Sequence, residues 1–132
     1  MLSISSPVRI LLARDPVDMR KSFHGLIGLT ESVLQADPLS GHLFVFINRR
    51  RDRIKLLYWG GTGFCIWYQQ LEKGSYQLPE VATADDREGL EITASQLSLI
   101  LDGIDLSSIR QRARYQLPTD QRTASQAVGV LA

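Results

Sequence analysis

Apolar positions in the first third of the chain follow two rhythms. Val8, Ile10, Leu11, Leu12 and Ala13 form a short run between Pro7 and the turn signal Asp15-Pro16. That pattern predicts a buried strand over 8–14. Met19, Phe23, Leu26, Ile27, Thr30, Val33 and Leu34 then recur mostly at steps of three and four, which predicts one face of a helix over 18–36. Asp15 with Pro16 at the first helical position, or Asp18 directly, can cap it. Gly25 and Gly28 are poor helix formers, and they predict close approach of a strand or a second helix. Asp37-Pro38 stops the helix, because the residue before proline avoids helical backbone.

The rhythm changes after Gly41. Leu43–Ile47, Ile54–Trp59 and Phe64–Tyr68 are rich in β-formers, and Tyr76–Leu78 can add a short fourth strand. Asn48–Asp52, Gly60–Gly63 and Glu72–Ser75 supply the turns between them. Short strands joined by short polar or Gly-rich turns predict an antiparallel meander. Residues 80–89 are acidic and loop-like, and Leu90–Ile92 can form one more strand. Thr93 and Gln96 have capping-box spacing. Leu97, Ile100 and Leu101 face one side of the helix they open, over 94–102, and Gly103 ends it. The expected fold is α+β, a single domain: an antiparallel β-meander sheet with two main α-helices packed on it. The domain is expected over 1–109. Residues 110–132 are expected to form a basic, loosely ordered tail, since Thr119–Ala132 carries no aromatic residue and little periodicity.

Composition narrows the class. With 132 residues, 44% apolar and 22% charged, the chain suits one globular domain and not a multi-domain enzyme. The single cysteine, Cys65, excludes an intrachain disulfide and a four-cysteine zinc site. No apolar run approaches the roughly 20 residues that span a bilayer, and Met1–Pro7 has no signal-peptide pattern, so a cytoplasmic protein with no membrane partner is expected.

The net charge of +1 conceals an uneven distribution. Residues 42–74 hold six bases and two acids, 75–109 hold one base and seven acids, and 110–132 hold four bases and one acid. The strongest feature is Arg49-Arg50-Arg51-Asp52-Arg53 at one hairpin tip, followed by Lys55. Crowded guanidinium groups repel one another unless an anion neutralises them, and the planar fork of arginine matches phosphate. The hairpin is therefore expected to contact the DNA backbone through Arg49, Arg50, Arg51, Arg53 and Lys55, with Arg20 and Lys21 joining if they share its side. Tyr58, Trp59, Trp67 and Tyr68 could stack on bases if they faced outward, but burial in the core is the expectation for them.

Other chemistry fails to assemble. His24 reads as a helix-surface residue, and His42 has no obvious partner. Cys65 sits in a β-run and reads as an inert thiol. Gly60-Gly61-Thr62-Gly63 lacks the lysine and helix of a phosphate loop, so it reads as a tight turn. Asp15 and Asp18 read as helix caps, and Asp85, Asp86 and Glu88 as solvated loop acids. No set of carboxylates suits a two-metal nuclease, so no catalytic residue, metal or cofactor is expected.

Five stretches together resemble a known family: 18–26 (Asp18-Met19-Arg20-Lys21-Ser22-Phe23-His24-Gly25-Leu26), 37–46, 50–59, 71–74 and 97–105. In order and spacing, over about 7–106, the chain resembles the TnpB-type accessory proteins encoded by the second reading frame of bacterial insertion sequence 66 transposable elements. Ser22 and His24 depart from the small or acidic residues expected there, and the chain after Ile109 follows no family pattern. The resemblance implies a non-catalytic accessory protein for DNA transposition. It implies as partners the element's DNA, its separate large transposase and its other small protein, with no catalytic residue to carry over. A second expectation is a protein–protein adaptor, in which the acidic segment 80–105 or the basic tip docks those proteins without DNA.

Overall fold

The computed structural model describes residues 8–79, 89–102, 104–105 and 110–111. Residues 80–88 of the acidic loop expected at 80–89, the Gly103 stop and residues 112–132 of the tail expected over 110–132 lie outside the described residues. The larger sheet has five strands: β1 (Ile10–Ala13), β2 (Leu43–Ile47), β3 (Arg53–Trp59), β4 (Phe64–Gln70) and β5 (Gly89–Ile92). Their spatial order is β4-β3-β2-β1-β5. The meander β2-β3-β4 is antiparallel, as its turns predict. β1 joins the same sheet parallel to β2, and β5 pairs antiparallel with β1 at the far edge. The parallel pair follows from the crossover between β1 and β2, which contains helix α1 (Phe23–Ser32). Helix α2 (Ala94–Asp102) follows β5, and two-residue strands β6 (Ile104–Asp105) and β7 (Arg110–Gln111) pair with each other. Among the described residues no helix is long and apolar enough to cross a membrane.

Strand alternation sorts the core into two layers. One face holds Ile10, Leu12, Leu43, Val45, Ile47, Ile54, Leu56 and Ile92, packed with Leu97 and Ile100 of α2 and with Tyr76. The other holds Ala13, Phe44, Phe46 and Leu57, packed with Leu26 of α1 and with Val17. With a helix on each face, β2 is buried along its whole length, which is why Leu43–Ile47 is an unbroken apolar run.

Three expectations need correction. Helix α1 is shorter at both ends than 18–36. Asp18 does not cap it: its carboxylate accepts from the Arg20 backbone N–H, folding 18–21 into a turn closed by Lys21 N–H on the Asp18 carbonyl. The helix instead starts after Ser22, whose side chain makes no cap hydrogen bond, and Phe23 is left 41% exposed. At the other end Gln35 takes a left-handed φ of 52°, which turns the chain before Pro38 is reached. Secondly, among the described residues neither helix glycine has a strand or a second helix as its nearest neighbour. A Cβ on Gly25 would meet the Lys21 side chain at 3.0 Å, and one on Gly28 would meet nothing within 4 Å. Thirdly, 76–78 is not a strand. Tyr76 N–H donates to the Arg51 carbonyl at 2.6 Å, so this stretch crosses the hairpin tip instead of extending the ladder. The capping box of α2 forms as expected, with Gln96 N–H donating to Thr93 Oγ1 and Thr93 N–H to Gln96 Oε1.

Candidate nucleic-acid interface

The arginine-rich loop between β2 and β3 is built around one side chain, Asn48. Its Oδ1 accepts from the backbone N–H groups of Asp52 and Arg53, each at 3.0 Å, and its Nδ2 donates to Asp52 Oδ1 at 2.7 Å. Arg51 N–H donates to the Asn48 carbonyl, and Arg51 itself sits at φ 59°. This is a turn followed by a left-handed residue, a common way to close a four-residue hairpin loop. The loop's own carbonyls are also used: Asp52 accepts from Leu71 N–H and Arg51 from Tyr76 N–H. The Tyr76 ring is fully buried and its hydroxyl donates to Gln69 Oε1 at 2.8 Å, so the strap that holds the tip is itself anchored in the core. Burial pushes the Tyr76 hydroxyl far above its usual pKa. The tip is thus fixed before any partner arrives.

A second segment is fastened beside it. Val17 N–H donates to the Ile47 carbonyl at 2.9 Å, at the end of β2. Lys55 is only 8% exposed, and its ammonium donates to the carbonyls of Met19 (2.9 Å) and Lys21 (2.8 Å). Those two residues flank Arg20. The result is an open groove of about 560 Å³ whose walls include Arg20, Arg49, Arg50, Arg53 and Tyr68, with Asn48 and the 16–19 segment between them.

The structure therefore separates the seven expected contact residues. Arg20, Arg49, Arg50 and Arg53 share the groove. Arg51 is exposed at the tip but does not line it, and Lys21 lines a smaller cavity of about 130 Å³ against α1. Lys55 is a structural tie beneath the groove, with its charge engaged by backbone. Among the described residues no carboxylate lies within ion-pairing distance of Arg49, Arg50, Arg51 or Arg53. Arg20 pairs with Asp18 at 2.7 Å, and the Arg20 guanidinium holds the Asp18 carboxyl down at about 2. Asp52 is also held below the ordinary carboxylate range, mainly by its Asn48 hydrogen bond and secondarily by Arg50 and Arg53.

The aromatic residues divide. Tyr58 and Trp67 pack against the core on the α2 face, and Trp59 meets Phe64 edge-on at 5.1 Å. Tyr68 departs from the core expectation: it is 50% exposed, lies opposite Lys55 in register, and the Lys55 ammonium sits 4.8 Å from its ring centroid. The sequence signal for this is strand parity, since Trp67 and Tyr68 must point to opposite faces. Cys65 is half-buried, opposite Tyr58 in register. His24 is exposed, and His42 Nδ1 accepts from the Arg9 backbone N–H. Among the described residues no three His, Cys, Asp or Glu side chains cluster as metal ligands.

Residues 8–111 match a family model described as IS66 Orf2 like protein. The chain is similar to the uncharacterized protein y4jC of Sinorhizobium fredii (strain NBRC 101917 / NGR234), 34% identical over 112 residues, which cover 85% of this chain and 92% of that protein. It is also similar to the uncharacterized protein y4hO of the same strain, 33% identical over 105 residues, covering 80% and 88% of the two chains. No solved structure matches.

Proposed function

The chain belongs to the IS66 Orf2-like family, and from that premise we propose that it serves transposition as a non-catalytic accessory protein that holds DNA by its phosphate backbone. The observation that carries this reading is the convergence of Arg20, Arg49, Arg50 and Arg53 on one groove from two separate segments. Among the described residues Asp18 is the only carboxylate in the groove's walls, so that lining carries a clear excess of positive charge. An anion with repeated charges neutralises such a set better than a single carboxylate does. Backbone contacts of this kind position a protein without reading sequence, so element-end and random duplexes bind alike through this groove. Lys55 contributes by holding the Arg20 turn in place, not by touching phosphate.

A salt-titrated mobility-shift assay tests the reading. The wild-type protein is expected to bind duplex at low salt and to weaken steeply as salt rises. The combined variant R20A/R49A/R50A/R53A is expected to bind poorly, with a salt slope smaller by about 0.9 for each phosphate that it no longer neutralises. Unchanged binding by that variant overturns the proposal. So does a wild-type protein that shifts no DNA yet co-purifies with the transposase in its absence, which is the adaptor outcome.

A further inference from the structure

We infer that the arginine groove takes an unpaired nucleotide, its base stacked on Tyr68 and its phosphates held by the arginines, so that DNA with exposed bases binds better than intact duplex. This rests on the backbone-binding reading above and names the form of DNA that the groove suits.

Tyr68 stands on β4, an edge strand, is half exposed, and is, among the described residues, the one aromatic residue lining a groove that also holds Arg20, Arg49, Arg50 and Arg53. The tyrosine hydroxyl can donate to a phosphate, but the ring also presents a flat apolar surface that a phosphate does not use. Flat aromatic surfaces accept any base, because every base has a π-face.

The ring is also held in place. The Lys55 ammonium lies 4.8 Å from its centroid, and that ammonium is fixed by the carbonyls of Met19 and Lys21. A cation held against the ring anchors it to the sheet, so little freedom remains to be lost when a base stacks. The same two carbonyls belong to the turn that carries Arg20. One buried lysine therefore sets both the stacking surface and one of the phosphate ligands, which keeps the spacing between them constant.

Geometry then selects the substrate. The groove's volume of about 560 Å³ is that of a small-ligand cleft. A duplex keeps its internal base faces inside the stack and offers Tyr68 sugar, phosphate and base edges, but no base face. A single strand, a frayed end or an extruded nucleotide offers a base face together with its flanking phosphates.

Fluorescence anisotropy at fixed salt separates the outcomes, using three labelled oligonucleotides of equal length: single-stranded DNA, its blunt duplex, and an abasic single strand. Wild-type protein is expected to bind the base-bearing strand more tightly than either of the others. Stacking of one base corresponds to roughly 5- to 150-fold in affinity. Y68L, which keeps apolar cover over Lys55 without a π-face, is expected to lose that factor in the ratio of single-strand to duplex affinity. Y68W is expected to keep it. Equal wild-type affinity for base-bearing and abasic strands, or a ratio that Y68L leaves unmoved, overturns the inference while leaving phosphate binding standing. If the wild-type protein binds none of the three at low salt, both readings fall together.

Discussion

The Lys55 ammonium donates to the carbonyl oxygen of Met19 at 2.9 Å, across 36 residues of sequence. With its second bond, to the Lys21 carbonyl, it joins β3 to the turn that presents Arg20. Replacing Lys55 with methionine keeps most of the buried stem but leaves both carbonyls without their donor. Removing a buried partner costs roughly 1–3 kcal/mol. We therefore expect K55M to lower the stability by that amount and also to weaken DNA binding, although Lys55 itself touches no phosphate. Urea unfolding followed by circular dichroism, alongside the shift assay, checks both parts. A K55M protein of unchanged stability would show that the tie is dispensable.

The Asp18 carboxyl gives a pH prediction with a definite sign. Its folded pKa, about 2, lies below the ordinary value of 3.8 because Arg20 hydrogen-bonds to the ionised form. A lowered pKa means that the pair is fully formed above the ordinary value and is lost as the pH falls through the folded one. In R20A the Asp18 carboxyl should titrate back in the ordinary carboxylate range, which carboxyl-selective NMR titration reads directly. D18N should free Arg20 and remove the Asp18 carboxylate from the groove wall, so DNA binding should tighten and its salt dependence should steepen. Weaker binding by D18N would mean that Asp18 is needed to aim Arg20.

How much of this is legible in the sequence depends on how local the cause is. The strands of the meander are readable because apolar runs and turn residues alternate along 43–70. The α2 capping box is readable because Thr93 and Gln96 satisfy each other within one turn. The start of α1 is not, because Asp18 has two local uses, as a helix cap or as a turn acceptor for Arg20, and composition does not choose between them. The arginine cluster is evident in the chain, but its division is not. Arg53 lines the groove and Arg51, which sits in left-handed backbone, does not, and the run of arginines in the sequence looks the same at both positions. The burial of Lys55 depends on carbonyls far away in sequence, and no short-range pattern encodes that.

Arg51 offers a test of the loop geometry itself. At φ 59° a residue with a Cβ carries a cost of roughly 1 kcal/mol that glycine does not. R51G should therefore hold or raise stability, while R51V, β-branched at the same position, should lower it. Because Arg51 does not line the groove, R51G should reduce DNA affinity less than R53A does. Thermal unfolding of the two Arg51 variants and a shift assay of R51G against R53A measure the two halves. Comparable reductions of affinity in R51G and R53A would place the DNA across the tip instead of in the groove.

The two glycines of α1 should respond differently to alanine. Gly28 is exposed in the helix interior, and an added Cβ meets nothing within 4 Å. Alanine there removes conformational freedom from the unfolded chain and adds helix propensity, together worth roughly 0.5–1 kcal/mol. Gly25 has the same intrinsic gain available, but its Cβ would lie 3.0 Å from Lys21 Cβ and 3.1 Å from Lys21 Cγ. Those atoms are close to the backbone of the Arg20 turn and cannot swing aside as a side-chain tip can. G28A should accordingly raise the urea midpoint, while G25A should gain less or lose stability. G25A should also disturb the Lys21 carbonyl that accepts from Lys55, and through it the placement of Arg20. Measured together, the pair separates helix propensity from packing: equal gains in both variants would mean that the contact between Gly25 and Lys21 places no constraint on the turn.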